Sequence, residues 1–210
     1  GVVATITKSN MDLSTMKKLT EIVIKAGAKT IEWNICTPTG RAKKDLIEEI
    51  PSDIQEYLAI CRNIGKIYDA FPGKVVSPLP AIFIAKYLSP RHIRITRGSC
   101  KFKNIVSILP NGDVALCGMG KTHPETVYGN IFQEGFKEIW EKGLGFLSRI
   151  RNLSPENTMG ICSKCVWNSI CGNMCPSLAY DVFGTIFQSH PMCQELYSSG
   201  LFPEKYLIRK

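Results

Sequence analysis

The spacing of hydrophobic residues at the start of the chain predicts a strand, a helix and a second strand. Residues 2–7 are mostly β-branched, which is typical of a strand. The next apolar positions recur at helical spacing: Met16, Leu19, Ile22, Val23 and Ala26. Asp12 or Ser14 is the expected N-cap of this helix, and Gly27 its end. A nearly continuous apolar run at 30–35 suits a parallel strand buried on both faces, so we predict a βαβ unit.

The later pattern predicts one more long helix and then shorter elements. The helix is expected over 52–70, where Phe71-Pro72-Gly73 stops it. Pro110-Asn111-Gly112 is typical of a hairpin turn, because glycine tolerates a positive φ. The other expected elements are a short helix at 81–88, strands at 104–109 and 113–116, and a helix at 132–149. That last helix has an apolar face of Phe136, Ile139, Trp140 and Leu144. We expect the strip Phe132, Phe136, Ile139 and Trp140 to pack in the core. The chain after this helix is expected to be loop-rich.

Composition narrows the class of protein. The chain has 210 residues, of which 44% are hydrophobic, and it has no apolar run long enough for a membrane span. The first ten residues lack the features of a secretory signal, so we expect a reducing cytoplasmic location and no disulfide scaffold. The formal charge is +8, but lysine and arginine are scattered rather than grouped with aromatic residues. We therefore expect neither nucleic-acid nor membrane partners.

Cysteine spacing is the strongest chemical signal in the chain. Seven of the nine cysteines follow one pattern, which is Cys100-x11-Gly112-x4-Cys117, then Cys162-x2-Cys165-x5-Cys171-x3-Cys175, and finally Cys193. Thiolates at such short intervals converge on a small volume, and iron–sulfur clusters are the cofactors that most often require four of them. Zinc is the alternative metal, since four cysteines also form a tetrahedral zinc site and zinc often replaces iron in aerobic preparations.

In these cysteines and their flanking phrases the chain resembles the SPASM domain of radical S-adenosylmethionine enzymes, a group that includes anaerobic sulfatase maturases. The matching phrases are ILPNGDVALC, GNIFQEGFKEIW, GICSKCVWNSICGNMC and HPMC. Residues 1–97 resemble, less specifically, the second half of the partial (β/α)6 barrel of these enzymes. The implied fold is an α/β half-barrel followed by an α+β SPASM domain over 98–210, built from a β-hairpin, helices and loops.

The resemblance implies two auxiliary [4Fe-4S] clusters. One would be held by Cys162, Cys165, Cys171 and Cys193, and the other by Cys100, Cys117 and Cys175, with a fourth position left to another group. We hypothesise that the three-cysteine cluster binds a substrate or exogenous ligand. The four-cysteine cluster would relay electrons or act as a structural staple.

The implied activity is that of an oxidoreductase that matures a peptide or protein substrate by radical chemistry. Its partners would be that substrate and a reducing donor such as flavodoxin or ferredoxin. By resemblance, Asn10 and Arg41 would contact S-adenosylmethionine. The chain lacks the Cys-x3-Cys-x2-Cys motif that holds the third cluster in these enzymes, so we do not expect it to cleave S-adenosylmethionine alone.

Several residues and functions stay open from the sequence. Cys61 lies on an apolar helix face and is expected to pack in the core, and Cys36 at the end of a strand is expected to be buried. His92, His123 and His190 are candidates for the missing ligand, and His92 is nearest to it in sequence. The alternative functions are a self-contained electron-transfer protein and a zinc-stabilised module that binds peptides at the edge of the first strand. The same edge is expected to favour self-association.

Overall fold

A parallel sheet organises the first part of the protein. The computed structural model describes residues 1–87, 105–118, 123–172 and 174–208. Strands β1 (Val2–Ile6), β2 (Ile31–Ile35) and β3 (Val75–Val76) form a three-stranded sheet in the order β1-β2-β3. Both pairings are parallel. The βαβ prediction is confirmed, whereas the short strand β3 was not predicted.

Two capped helices connect these strands. Helix α1 (Leu13–Lys25) begins at Asp12, whose carboxylate accepts from the Thr15 backbone N–H, and Gly27 follows it with φ of 87°. A short helix α2 (Ala42–Asp45) precedes α3 (Ile54–Ala70). Asp53 caps α3 by accepting from two backbone N–H groups, and Glu56 accepts from the Asp53 N–H in return. The predicted helices are therefore present, with ends fixed by their caps.

A small antiparallel sheet forms the middle of the chain. Strands β4 (Ser107–Ile108), β5 (Asp113–Ala115) and β6 (Val127–Asn130) pair in that order. Gly112 closes the β4–β5 hairpin with φ of 84°, as the turn sequence predicts. The strand predicted at 104–109 is shorter, and its first residue lies outside the described residues. Strand β6 was missed, because its four residues, VYGN, include a glycine and show no clear alternation.

Helix α5 (Phe136–Arg151) differs from its prediction in start and in orientation. It starts four residues after the predicted start at 132, because the Asn130 side chain accepts from the Phe132 N–H and holds a turn there. Phe132 is 75% exposed, and Phe136 and Leu144 are also exposed. The prediction that Phe132 and Phe136 pack in the core is wrong. The buried face of the helix consists of Ile139, Leu147 and Ile150. Leu147 and Ile150 belong to a second hydrophobic cluster, separate from the main core.

The chain after α5 is more helical than the loop-rich prediction. It contains α6 (Asn168–Cys171), α7 (Pro176–Phe183) and α8 (Pro191–Ser198). Helix α4 (Ala81–Tyr87), which follows strand β3 in the chain, packs near α6, since Ala81 and Cys171 belong to one small hydrophobic cluster. Proline occupies the first turn of both α7 and α8, where its missing N–H costs nothing. Left-handed Gly172 and Gly184 end α6 and α7. These short helices fix the positions of the cysteines that precede or follow them.

The main hydrophobic core joins the parallel sheet to the cysteine-bearing region. It includes Ile6, Ile31 and Trp33 from the strands, and it continues without interruption to Cys193 and Phe202. A second cluster, centred on Leu147 and Ile150, lies under the antiparallel sheet. The predicted domain boundary after residue 97 falls outside the described residues. The core nevertheless shows that α3 and α8 pack together.

Strand β1 is an edge of the parallel sheet, and Val3 on it is 63% exposed. Self-association through this edge stays a prediction.

Among the helices that the structure describes, none has the length and hydrophobicity that a membrane span requires.

Candidate metal centre

Four of the motif cysteines surround one cavity. Cys162, Cys165, Cys171 and Cys193 all line it, and all four are at least nine-tenths buried. Three separate segments supply them: the turn at Gly160–Lys164 with the residue after it, the end of α6, and the first turn of α8. The other walls include the apolar side chains of Pro80, Ile82 and Phe202. The four cysteines that the resemblance assigns to one cluster thus lie around one cavity.

Two buried polar side chains hold the Cys162 turn in place. The Ser189 hydroxyl accepts from the Cys162 N–H at 2.8 Å and donates to the Met159 carbonyl at 2.8 Å. The Asn168 amide donates to the Cys162 carbonyl at 3.0 Å and to the Thr158 hydroxyl at 3.1 Å. Both side chains are almost fully buried, so these bonds are made in a dry environment. Neither residue was identified from the sequence, where an isolated serine or asparagine carries no signal.

Replacing Ser189 by alanine is expected to destabilise the protein by about 1–3 kcal/mol. The change leaves the buried Cys162 N–H and the Met159 carbonyl without their partner, and an unsatisfied buried group costs its desolvation. Urea unfolding of the metal-free protein would measure the free energy of unfolding. Ser163→Ala is the matched control, because the half-buried Ser163 hydroxyl donates only to the Gly160 carbonyl. An equal loss in both variants would contradict the bridging role of Ser189.

Backbone N–H groups point at two of the thiols. The Ala81 N–H, in the first turn of α4, donates to the Cys171 sulfur at 3.2 Å. The Trp167 N–H donates to the Cys165 sulfur at 3.4 Å. Hydrogen bonds to cysteine sulfur stabilise the thiolate and influence the potential of a bound cluster. Helix α4 thus takes part in the site although it carries no cysteine.

The buried thiols hold their protons tightly when no metal is bound. Burial raises the pKa of Cys165 to about 11 and that of Cys171 to about 12, because the charged thiolate loses its hydration. Burial also raises the pKa of Cys162, and it raises that of Cys193 well above the usual value, with the neighbouring thiols adding repulsion. A metal that binds here must displace these protons, so its affinity will increase with pH.

Three buried polar atoms on the cavity wall lack partners. His190 Nδ1, Trp167 Nε1 and Asn168 Oδ1 make no hydrogen bond within the part of the chain that the structure describes. Two of these groups, the imidazole and the indole, can donate an N–H. Buried donors normally find an acceptor, so their presence here favours an anionic occupant of the cavity. Four cysteine sulfurs and buried N–H donors among the lining residues fit an iron–sulfur cluster.

The thiols line walls rather than meeting at a point. Across the described residues, no three cysteine, histidine or carboxylate side chains are grouped as ligands of a single metal ion. All the cysteines there, including the four cavity cysteines, are free thiols.

The second predicted set is described only in part. Cys117 follows β5, and its sulfur is 3.4 Å from the hydroxyl of Ser177 in the first turn of α7. Cys175 caps the same helix, so Cys117 and Cys175 both lie at its beginning. Both cysteines are half-buried. Cys100, the third member of this set, lies outside the described residues, and the ligand set stays a prediction.

The three histidines occupy different places. His123 is 2% exposed, and its Nε2 lies 3.4 Å from the Asp181 carboxylate on α7, one helical turn from Ser177. It therefore lies along the helix face that Cys117 contacts. His190 belongs to the wall of the four-cysteine cavity, and burial lowers its pKa to about 4. His92, the histidine nearest in sequence to the missing ligand, lies outside the described residues.

Four other residues named in the sequence have structural positions of their own. The Asn10 side-chain amide makes two hydrogen bonds to nearby backbone groups. Its Oδ1 accepts from the Thr7 N–H, and its Nδ2 donates to the Thr5 carbonyl. Arg41 is exposed beside α2. Cys36 is buried after β2, and Cys61 is fully buried in the main core, so the expectation of packing is confirmed for both. Contact of Asn10 or Arg41 with S-adenosylmethionine stays a prediction.

A larger groove lies next to the four-cysteine cavity. Its volume is about 420 Å³, and it extends from the end of β2 to α7 and α8. Its walls are mainly apolar, with Glu195 and Gln194 among the polar exceptions. In α/β folds, ligands bind beyond the carboxyl ends of parallel strands, which is where this groove begins.

Comparison with known proteins finds one family model and several similar solved structures. Residues 100–166 match the family model of SPASM, an iron-sulfur cluster-binding domain. A structure of native anSMEcpe with bound AdoMet and Kp18Cys peptide is similar, with a TM-score of 0.57 and 16% sequence identity. The match covers 94% of this chain and 53% of that chain.

Two further structures of native anSMEcpe show the same likeness. The one with bound AdoMet and Cp18Cys peptide has a TM-score of 0.56, 16% identity and coverage of 94% and 54% of the two chains. The one with bound AdoMet alone has a TM-score of 0.54, 15% identity and coverage of 94% and 52%. No curated protein sequence matches. The chain spans about half the length of these structures. Residues 100–166 are similar to a SPASM iron-sulfur cluster-binding domain, and the chain has a fold similar to that of these structures.

Proposed function

We propose that this chain is the auxiliary-cluster part of a radical S-adenosylmethionine maturase that acts on a peptide or protein. Cys162, Cys165, Cys171 and Cys193 would hold one iron–sulfur cluster. Cys100, Cys117 and Cys175 would hold a second cluster, whose fourth position is left to a substrate or another ligand. In this proposal, residues 1–97 belong to the half-barrel and 98–210 to the SPASM domain.

The convergence of four thiols from three segments on one dry cavity carries the proposal. When bound, an iron–sulfur cluster supplies one-electron transfer. The chain's own residues give it four thiolates, backbone N–H groups from Ala81 and Trp167, and apolar walls that exclude water. The site thus holds and tunes a redox group, which is the protein's part in cofactor chemistry.

The second ligand set differs from the first in exposure. Cys117 and Cys175 are half-buried, whereas all four cavity cysteines are buried. A more accessible set with three cysteines is the better candidate for binding an external ligand, by the same logic that separates catalytic from structural zinc sites. The buried set is suited to electron relay or to stabilising the fold.

The proposal of a peptide substrate rests on two observations. Two of the three similar anSMEcpe structures contain bound peptides, and the groove in this chain begins at the carboxyl end of β2. Its mainly apolar walls suit an extended peptide with hydrophobic side chains. An external donor such as flavodoxin or ferredoxin would supply electrons.

Metal analysis of protein purified and reconstituted without oxygen tests the proposal. We expect iron and acid-labile sulfide in near-equal amounts, with about eight of each per chain for two complete clusters. Treatment with a chelator and oxidant should remove both together. Zinc in place of iron after anaerobic preparation, with no sulfide, would reject the proposal and favour a zinc-stabilised peptide-binding module.

A further inference from the structure

His190 separates the four-cysteine cavity from the groove. It is one of the residues that line the cavity, and it is also among those that line the groove. Among the residues that the structure describes, no other residue lines both the cavity and the groove. His190 therefore lies between a proposed cofactor site and a proposed substrate groove.

The backbone of His190 is fixed to a ligand-bearing helix. It is the N-cap residue of α8, and its carbonyl accepts from the N–H groups of Cys193 at 2.9 Å and Gln194 at 3.1 Å. Pro191 follows it and restricts the chain further. A movement of His190 would thus move Cys193, and the ring cannot turn away freely because the side chain is 7% exposed.

One ring nitrogen faces an environment with few possible acceptors. Nδ1 is buried and makes no hydrogen bond with any residue that the structure describes. The apolar neighbours on the wall, Pro80, Ile82 and Phe202, offer it no side-chain acceptor. Asn168 Oδ1 is also an acceptor on this wall, but it is not hydrogen-bonded to Nδ1, since neither atom has a partner among the described residues. The other acceptors that the cavity would provide are cysteine thiolates and the sulfur atoms of a bound cluster. A neutral imidazole with its proton on Nδ1 satisfies both partners.

We propose that His190 is a positioning residue that donates an Nδ1–H hydrogen bond to a sulfur of the cluster held by Cys162, Cys165, Cys171 and Cys193. The inference rests on the proposed function, since it requires that cluster to be present. A donor to sulfur stabilises the reduced, more negative state, so His190 raises the reduction potential of this cluster.

The test is the reduction potential of the reconstituted protein, measured by titration with detection by electron paramagnetic resonance. His190→Leu removes the donor, and we expect its ratio of reduced to oxidised cluster at the wild-type midpoint to fall about tenfold, which is about 59 mV for one electron. His190→Asn places an amide N–H near the position of Nδ1, and it should recover at least half of the shift. Val182→Asn, a change in the groove wall alone, should leave the potential unchanged.

Iron and sulfide content separates the possible failures. Absence of iron and sulfide in the wild-type protein would reject the proposed function itself. A fully loaded His190→Leu protein with the wild-type potential, or an Asn variant shifted as far as the Leu variant, would overturn the inference alone.

A second measurement applies if His190→Leu does not retain iron. Wild-type protein labelled with 15N-histidine should show one nitrogen coupled to the reduced cluster in pulsed electron paramagnetic resonance. The unlabelled asparagine of His190→Asn should remove this coupling from an otherwise labelled sample. Absence of a histidine coupling in the loaded wild-type protein would overturn the inference.

Discussion

Replacing Cys193 by alanine is expected to remove one whole cluster and to lower the thermal stability of the protein. The cavity would keep three thiols in place of four, and the lost ligand belongs to the buried set, where water does not easily replace it. We expect about half of the iron and sulfide to be lost. The midpoint of thermal unfolding should fall by more than about 5 °C, since the binding free energy of a structural metal site adds to folding.

Cys36→Ala is the matched control for this prediction. Cys36 is as buried as Cys193, at 8% and 7% exposure, but it lies at the end of β2 and away from the cavity lining. Its variant should retain all iron and sulfide and lose only the small packing contribution of one thiol. Colorimetric iron and sulfide assays and calorimetry on both variants check the result. Full iron in Cys193→Ala would remove this cysteine from the ligand set.

The sequence predicted the long regular elements well because their signals are local. Asp12 and Gly27 were predicted as cap residues, whose chemistry acts within one helical turn, and the structure uses both in that way. The strand–helix–strand order at the start of the chain likewise follows from hydrophobic period alone. By contrast, the orientation of α5 depends on what it packs against. Phe136 and Ile139 are equally apolar in the sequence, yet only Ile139 is buried.

The same distinction applies to the candidate site. The resemblance to the SPASM domain indicated which thiols belong together, and the structure places four of them around one cavity. Nothing in the sequence indicated Ser189, Asn168 or the Ala81 N–H. These groups bond to cysteines that are 27, 6 and 90 residues away in the sequence. His190 was named only as a candidate ligand for the other cluster. Its position on the cavity wall follows from the packing of α8 and is not visible in the order of residues.

Truncation of Phe83 on α4 is expected to destabilise the fold strongly. Its side chain is fully buried in the main core, where α4 packs against α3. Phe83→Ala should lower the free energy of unfolding by about 3–5 kcal/mol, because it removes buried apolar surface and leaves a cavity. That is a large part of the total stability of about 5–15 kcal/mol that is usual for a protein.

The effect should also extend to the four-cysteine cavity. Ala81, two residues before Phe83 on α4, donates its N–H to the Cys171 sulfur, and this bond depends on the position of the helix. We therefore expect Phe83→Ala to lose iron to a chelator faster than the wild-type protein. Phe136→Ala is the control, because it deletes the same ring from a side chain that is 48% exposed on α5. Urea unfolding should give it a loss below about 1.5 kcal/mol, and its iron release should be that of the wild type. Equal iron release from both variants would show that α4 does not secure the metal centre, even if Phe83 proves essential to the core.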